Sequence, residues 1–137
     1  MLDLSSLSQA LNSLERGIER AQGAPGDEEL RDAVIQRFEY TFELCWKLIK
    51  RRLELDLAVP SEVDAMSYKE MMRIAFERGL IRDVEAWFIY RSQRNITSHT
   101  YSREKAESVY QTALEFAGEA RSLLQRLEAA NADPSDS

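Results

Sequence analysis

Apolar residues recur along this chain at steps of three and four, the spacing of a stripe on one face of a helix. Leu4, Leu7, Leu11, Leu14 and Ile18 predict a first helix, which Gly23-Ala24-Pro25-Gly26 ends. Asp27 stands where an N-cap belongs, with Glu28 and Glu29 well placed in the following turn. The second helix is expected to run to about Asp56. Ile35, Phe38, Phe42, Cys45, Ile49 and Leu53 form its main stripe, and Val34, Thr41, Leu44, Leu48 and Leu55 form another beside it. Two adjacent apolar faces require more than one neighbour, so this is the central helix.

Pro60 disfavours a helical Val59, and a loop is expected there. A shorter helix over about 68–78 follows, with Met71, Met72, Ala75 and Phe76 on its inner side and Gly79 at a left-handed C-terminal cap. Asp83 can cap a fourth helix that turns Val84, Trp87 and Phe88 inward. Val109, Ala113, Phe116, Ala120, Leu123 and Leu127 mark the last helix. The prediction is an all-α fold, an antiparallel four-helix-type bundle with an extra short helix, occupying residues 1–128 as one domain. Residues 129–137 offer little to bury and are expected to form a disordered tail.

Composition supports this picture. With 137 residues, 44% hydrophobic and 31% charged, and only 5 Gly and 3 Pro, the chain suits helices with one buried core. A single cysteine excludes an internal disulfide and is compatible with a reducing compartment. Cys45, set among apolar residues, reads as a small buried thiol. No apolar run approaches the roughly 20 residues of a membrane span, and no export signal precedes the first helix, so a cytoplasmic location is expected.

The net charge of −6 argues against wide coating of nucleic acid. Basic residues nevertheless cluster twice: Lys47, Lys50, Arg51 and Arg52, then Arg91, Arg94, Arg103 and Lys105. The first cluster could meet a phosphate or simply complement a helix dipole.

Glycine-rich phosphate loops, paired cysteines and HExxH are missing, and one histidine with one cysteine makes an ordinary zinc site improbable. No metal or cofactor is called for. The unusual segment is Arg91-Ser92-Gln93-Arg94-Asn95-Ile96-Thr97-Ser98-His99-Thr100-Tyr101. Ser, Thr and Asn compete with the backbone for hydrogen bonds, which makes this a helix terminus. On an unbroken helix Arg94 and His99 lie about 140° apart. They can serve one ligand only if the helix is interrupted between them or if two chains meet there.

Arg94, His99 and Tyr101 match the RX4HXY motif of HEPN-domain proteins of the HepT type. The stretches Arg31-Asp32-Ala33-Val34-Ile35-Gln36-Arg37-Phe38-Glu39 with Phe42-Glu43-Leu44, and Arg94 through Tyr101, resemble the nucleotidyltransferase substrate-binding proteins of the same group. The resemblance covers roughly residues 3–127. It implies a homodimer whose two motifs face one cleft, and a cognate minimal nucleotidyltransferase as partner. It further implies a metal-independent ribonuclease toxin of a two-gene toxin–antitoxin pair, silenced when the partner adds AMP to Tyr101. The alternative is a non-catalytic subunit that presents RNA or nucleotide to the nucleotidyltransferase, and a plain dimeric scaffold is a third reading. In the catalytic reading His99 takes a proton from a ribose 2′-OH, Arg94 meets the phosphate, and Asn95 supports His99 from the preceding turn. The bland reading is that these side chains only cap a helix, with Tyr101 stapled onto Ala106.

Overall fold

The computed structural model describes residues 1–133. Helix α1 spans Ser5–Gln22, α2 Glu28–Asp56, α3 Ser61–Asp64, α4 Tyr68–Glu77, α5 Val84–Ile96 and α6 Arg103–Ala132, with a 3-10 turn at Thr97–His99 between the last two. The protein is the all-α, up-and-down bundle that the periodicity predicts. Side-chain oxygens cap α2, α4, α5 and α6, satisfying amides that the first turn leaves open. Asp27 Oδ1 accepts from the Glu29 and Leu30 amides at 3.0 and 3.2 Å. Ser67 Oγ accepts from the Glu70 amide at 3.1 Å, and Asp83 Oδ1 from the Ala86 amide at 3.2 Å. Gly79 closes the α4 end at φ +79°, a conformation a side chain would strain.

Helix α2 is central and packs on α1, α5 and α6. Gly17 is buried in α1, and a Cβ there would stand 2.8 Å from the Arg37 guanidinium, which crosses α1 to donate to the Ser13 carbonyl at 2.8 Å. The core condenses on Phe116 of α6. Its ring lies 5.1 Å from Phe38 and 5.1 Å from Tyr90, both edge-on, and 5.9 Å from Trp87. Each such pair adds about 0.5–1.5 kcal/mol beyond the area it buries. Cys45 is fully buried among these side chains, and desolvation pushes its thiol pKa well up, which makes it an inert packing residue.

The structure departs from expectation in five places. Ser61–Asp64 forms a helical turn inside the expected loop, because Pro60 already holds a helical φ of −55° and Val63 buries beneath it. Phe76 is 49% exposed: it lies one residue past Ala75, about 100° round the helix from the buried face. Leu55 is 57% exposed, at the end of α2 where that stripe has run out of neighbours. Phe88 is half-buried, with the Lys69 ammonium 5.3 Å and the Arg73 guanidinium 5.6 Å from its ring. Residues 129–132 continue α6 where a frayed tail was expected. Asn131 accepts from the Leu2 amide at 3.1 Å and donates to the Leu2 carbonyl at 2.9 Å, tying both ends of the chain together. The rest of the expected tail, 134–137, lies outside the described residues.

Candidate functional site

Between α5 and α6 the polar run spends its hydroxyls on its own backbone. Thr97 Oγ1 donates to the Arg94 carbonyl at 2.8 Å, and Thr100 Oγ1 to the Thr97 carbonyl at 3.1 Å. The Arg94 carbonyl also accepts from the Thr97 amide, and together these bonds tighten the end of α5 into the 3-10 turn. Ser102 then caps α6, accepting from the Lys105 amide at 3.5 Å, and the Ser102 amide donates to the His99 carbonyl at 3.2 Å. The helix is therefore interrupted between Arg94 and His99, one of the two conditions under which they can serve one ligand.

Arg94 leaves α5 toward α2. Its Nε donates to Glu43 Oε1 at 3.1 Å, Nη1 to Thr97 Oγ1 at 3.2 Å, and Nη2 stands 3.3 Å from Glu39 Oε1. The other Glu43 oxygen accepts from the Trp46 indole at 3.0 Å. Glu39 and Glu43 are one turn apart on α2, so a single helix face presents both carboxylates to one guanidinium. A guanidinium carries five N–H donors, so these partners orient the fork and leave donors for a phosphate. Sequence reasoning did not assign these two acids. Their four-residue spacing was visible, but nothing local joins them to an arginine some fifty positions later (Glu43 and Arg94 are 51 apart).

His99 is exposed on the turn, with its ring 6.2 Å from Tyr101 and nearly perpendicular to it. Tyr101 is 86% exposed, so the staple onto Ala106 does not form: the cap at Ser102 starts α6 with the preceding residue turned to solvent. Asn95 is exposed too, and among the described residues it makes no hydrogen bond to His99; it lines a cleft instead. Within one chain the structure thus joins Arg94 to Glu39 and Glu43, and His99 to Tyr101, as two neighbouring groups.

The cleft beside Arg94 holds about 350 Å³ and opens between α2, α3, α4 and α5. Arg91 lies 4.7 Å over the Tyr68 ring at one side, and the Tyr68 hydroxyl donates to the Trp87 carbonyl at 2.8 Å. Burial drives the Tyr68 pKa well up, so the phenol stays a donor. Of the basic cluster on α2, Lys50 pairs with Asp64 at 2.9 Å and Arg52 with Asp56 at 2.7 Å, so half of it serves the fold. A larger hollow of about 690 Å³ at the α1–α2 turn includes none of the motif residues.

Residues 2–129 match the family described as nucleotidyltransferase substrate binding protein like. The chain belongs to this family. Its bundle is the HEPN fold of HepT-like proteins. It is 36% identical to a Haemophilus influenzae protein named "Probable ribonuclease HepT", over 95% of this chain and 94% of that one. A solved Haemophilus influenzae structure, described as the fold of a substrate binding domain of a nucleotidyltransferase, superposes with a TM-score of 0.86. That match is 36% identical and covers 92% of this family member and 99% of the other chain. A crystal structure from Thermus thermophilus matches at a TM-score of 0.70 with 30% identity, covering 88% and 98%. No helix of this family member, among the described residues, is long and apolar enough to cross a membrane.

Proposed function

We propose that this protein is a metal-independent ribonuclease toxin, acting as a homodimer and silenced by a partner nucleotidyltransferase that places AMP on Tyr101. The observation that carries the reading is the interrupted α5–α6 corner, where an oriented arginine, an exposed histidine and an exposed tyrosine stand within eight residues. The similarity to a protein named as a ribonuclease supports it.

The chemistry follows from the side chains. His99 removes the proton of a ribose 2′-OH, and that oxygen attacks the adjacent phosphorus. The P–O5′ bond breaks, leaving a 2′,3′-cyclic phosphate, and the 5′ oxygen takes a proton from the partner subunit's His99. Arg94 neutralises the charge gathering on the phosphoryl oxygens. A two-fold axis supplies two copies of each group, which the acid and base steps require together. AMP on Tyr101 adds a phosphate near His99 and the Arg94 side of the corner, competing with RNA without any change of fold.

The test is cleavage of RNA by the isolated protein in EDTA, by wild type and by His99→Ala and Arg94→Ala. Wild type should cut, and each variant should lose activity while staying folded and dimeric. Cleavage that survives in His99→Ala would refute the assignment. For the switch, co-expression with the nucleotidyltransferase should add AMP mass to wild type and none to Tyr101→Phe. A second reading, a non-catalytic subunit that presents substrate to the nucleotidyltransferase, draws on the family description and on Arg94 being already engaged by two carboxylates. It predicts no cleavage by the protein alone and nucleotide binding only in the complex.

A further inference from the structure

We propose that the outer face of α1 and α2 is a track for the phosphate backbone of an RNA strand, carried by Arg37, Lys47 and Arg51 with Arg16 and Arg20 alongside. The choice of RNA as ligand rests on the ribonuclease reading, and the track adds where the strand lies outside the motif. Arg37, Tyr40, Leu44, Lys47 and Arg51 follow one another along α2 at steps of three and four, so they share one side of it. From Arg37 to Arg51 that side extends about 21 Å at 1.5 Å per residue. Helix α1 lies against the stripe. The Arg37 guanidinium crosses Gly17 to donate to the Ser13 carbonyl, and the Tyr40 hydroxyl donates to Ser13 Oγ at 3.1 Å. Arg16 and Arg20 stand three and seven residues beyond Ser13, which places them on the same side of α1.

The charges on this face are uncommitted. Lys50 and Arg52 are held by Asp64 and Asp56, and Arg94 by Glu39 and Glu43. Arg16, Arg20, Lys47 and Arg51 are exposed, and among the described residues neither they nor Arg37 meet a carboxylate at ion-pair distance. Arg37 is half-buried and spends Nη1 on the Ser13 carbonyl, which leaves its Nε and Nη2 donors for an anion. Glu43, one turn before Lys47, is taken by Arg94 and the Trp46 indole. Asp3, Glu19 and Glu54 border the face, so it keeps an excess of positive charge in a protein of net charge −6. Rings are interleaved with these cations. Tyr40 is 39% exposed between Arg37 and Lys47, and the Lys47 ammonium lies 5.9 Å over the Trp46 ring. Cations in a row with rings for stacking suit a single strand, whose phosphates and bases both repeat, better than an acidic protein surface. Trp46 also lines the cleft that holds Arg94, so a strand on this face runs on to the motif.

The test is fluorescence anisotropy of a labelled, mixed-sequence single-stranded RNA with the full-length His99→Ala protein, in EDTA and across a salt series, so that binding is read without cleavage. The double variant Lys47→Ala/Arg51→Ala changes exposed side chains only. It should bind several-fold more weakly, whatever the RNA sequence. The slope of log affinity against log salt should shrink by about 0.7 for each cation removed, about 1.4 in all. Arg37→Gln should weaken binding again. That change also touches packing on α1, so thermal unfolding is followed alongside it, and the exposed pair carries the test by itself if Arg37→Gln unfolds. With His99 restored, the exposed pair should raise KM for a long RNA while kcat, and KM for a dinucleotide too short to reach the face, stay unchanged. RNA that binds with this loss of slope but is not cut by wild type keeps the track and removes the ribonuclease reading. Cleavage with affinity, slope and KM all unchanged in the pair removes the track alone. No RNA binding even at low salt would overturn the inference. So would a pair variant that binds RNA as before yet loses the nucleotidyltransferase, which would give the face to an acidic protein surface instead.

Discussion

Around Phe116 the rings of Phe38, Phe42, Trp87 and Tyr90 pack within 5.1–6.3 Å, and none is more than 3% exposed. At the corner between α5 and α6, a short way along the same helices, Asn95, Ser98, His99 and Tyr101 all face solvent. The first region is held by many interlocking apolar contacts, each dependent on the others. The second is held by a few directional bonds: two threonine hydroxyls on carbonyls, one serine cap and one ion-paired arginine. The interior fixes where the helices lie, and the corner can therefore carry exposed, chemically versatile side chains at little cost to the fold. Stability and function should separate cleanly between the two.

That separation can be broken or sharpened by substitution. The largest effect on the fold should come from Phe116→Ala, which removes the ring at the centre of the cluster. It should cost about 3–5 kcal/mol in chemical denaturation, enough to unfold a marginal domain. His99→Ala is the converse. RNA cleavage should fall by about 10²–10⁴-fold, while denaturation midpoints stay within about 0.5 kcal/mol of wild type. A large stability loss in this variant would show that the corner is structural after all.

Ser102→Ala tests the boundary between the regions, since Ser102 caps a core helix yet follows Tyr101 directly. Loss of the cap should cost about 0.5–2 kcal/mol in thermal or chemical unfolding, and it should loosen the Tyr101–Ser102 junction as seen by amide exchange. The smallest effect should be that of Tyr101→Phe on stability. At 86% exposure the hydroxyl contributes to no core contact, and a change within about 0.5 kcal/mol is expected. A greater loss would mean that the tyrosine is packed in the functional assembly, and so unavailable to a modifying enzyme.

The helix boundaries were legible because they are local chemistry. Asp27 and Asp83 each sit next to the amides they cap, and Gly79 supplies a positive φ that other residues resist. The stripe positions of α1, α2 and α6 were legible for the same reason, as 3.6 residues per turn sort the side chains by face. Phe76 and Leu55 were not, because periodicity says which residues share a face and not how far the neighbouring helix extends. The one-turn α3 was hidden as well, since four residues form a helix only when a partner buries Val63 and an aspartate meets Lys50.

For the candidate site the division is sharper. Sequence alone marked Arg94, Asn95, His99 and Tyr101, since a dense polar run interrupts an apolar period and matches a motif. It also marked the run as a helix terminus, because threonine and serine hydroxyls compete for the backbone, and left open whether the break falls between Arg94 and His99. Only the tertiary structure could decide that Arg94 is oriented by Glu39 and Glu43, that Asn95 faces a cleft and not His99, and that this cleft is walled by residues from four helices. Local propensity acts over one turn of chain. A site assembled from residues some fifty positions apart exists only once the aromatic interior has brought α2 against α5.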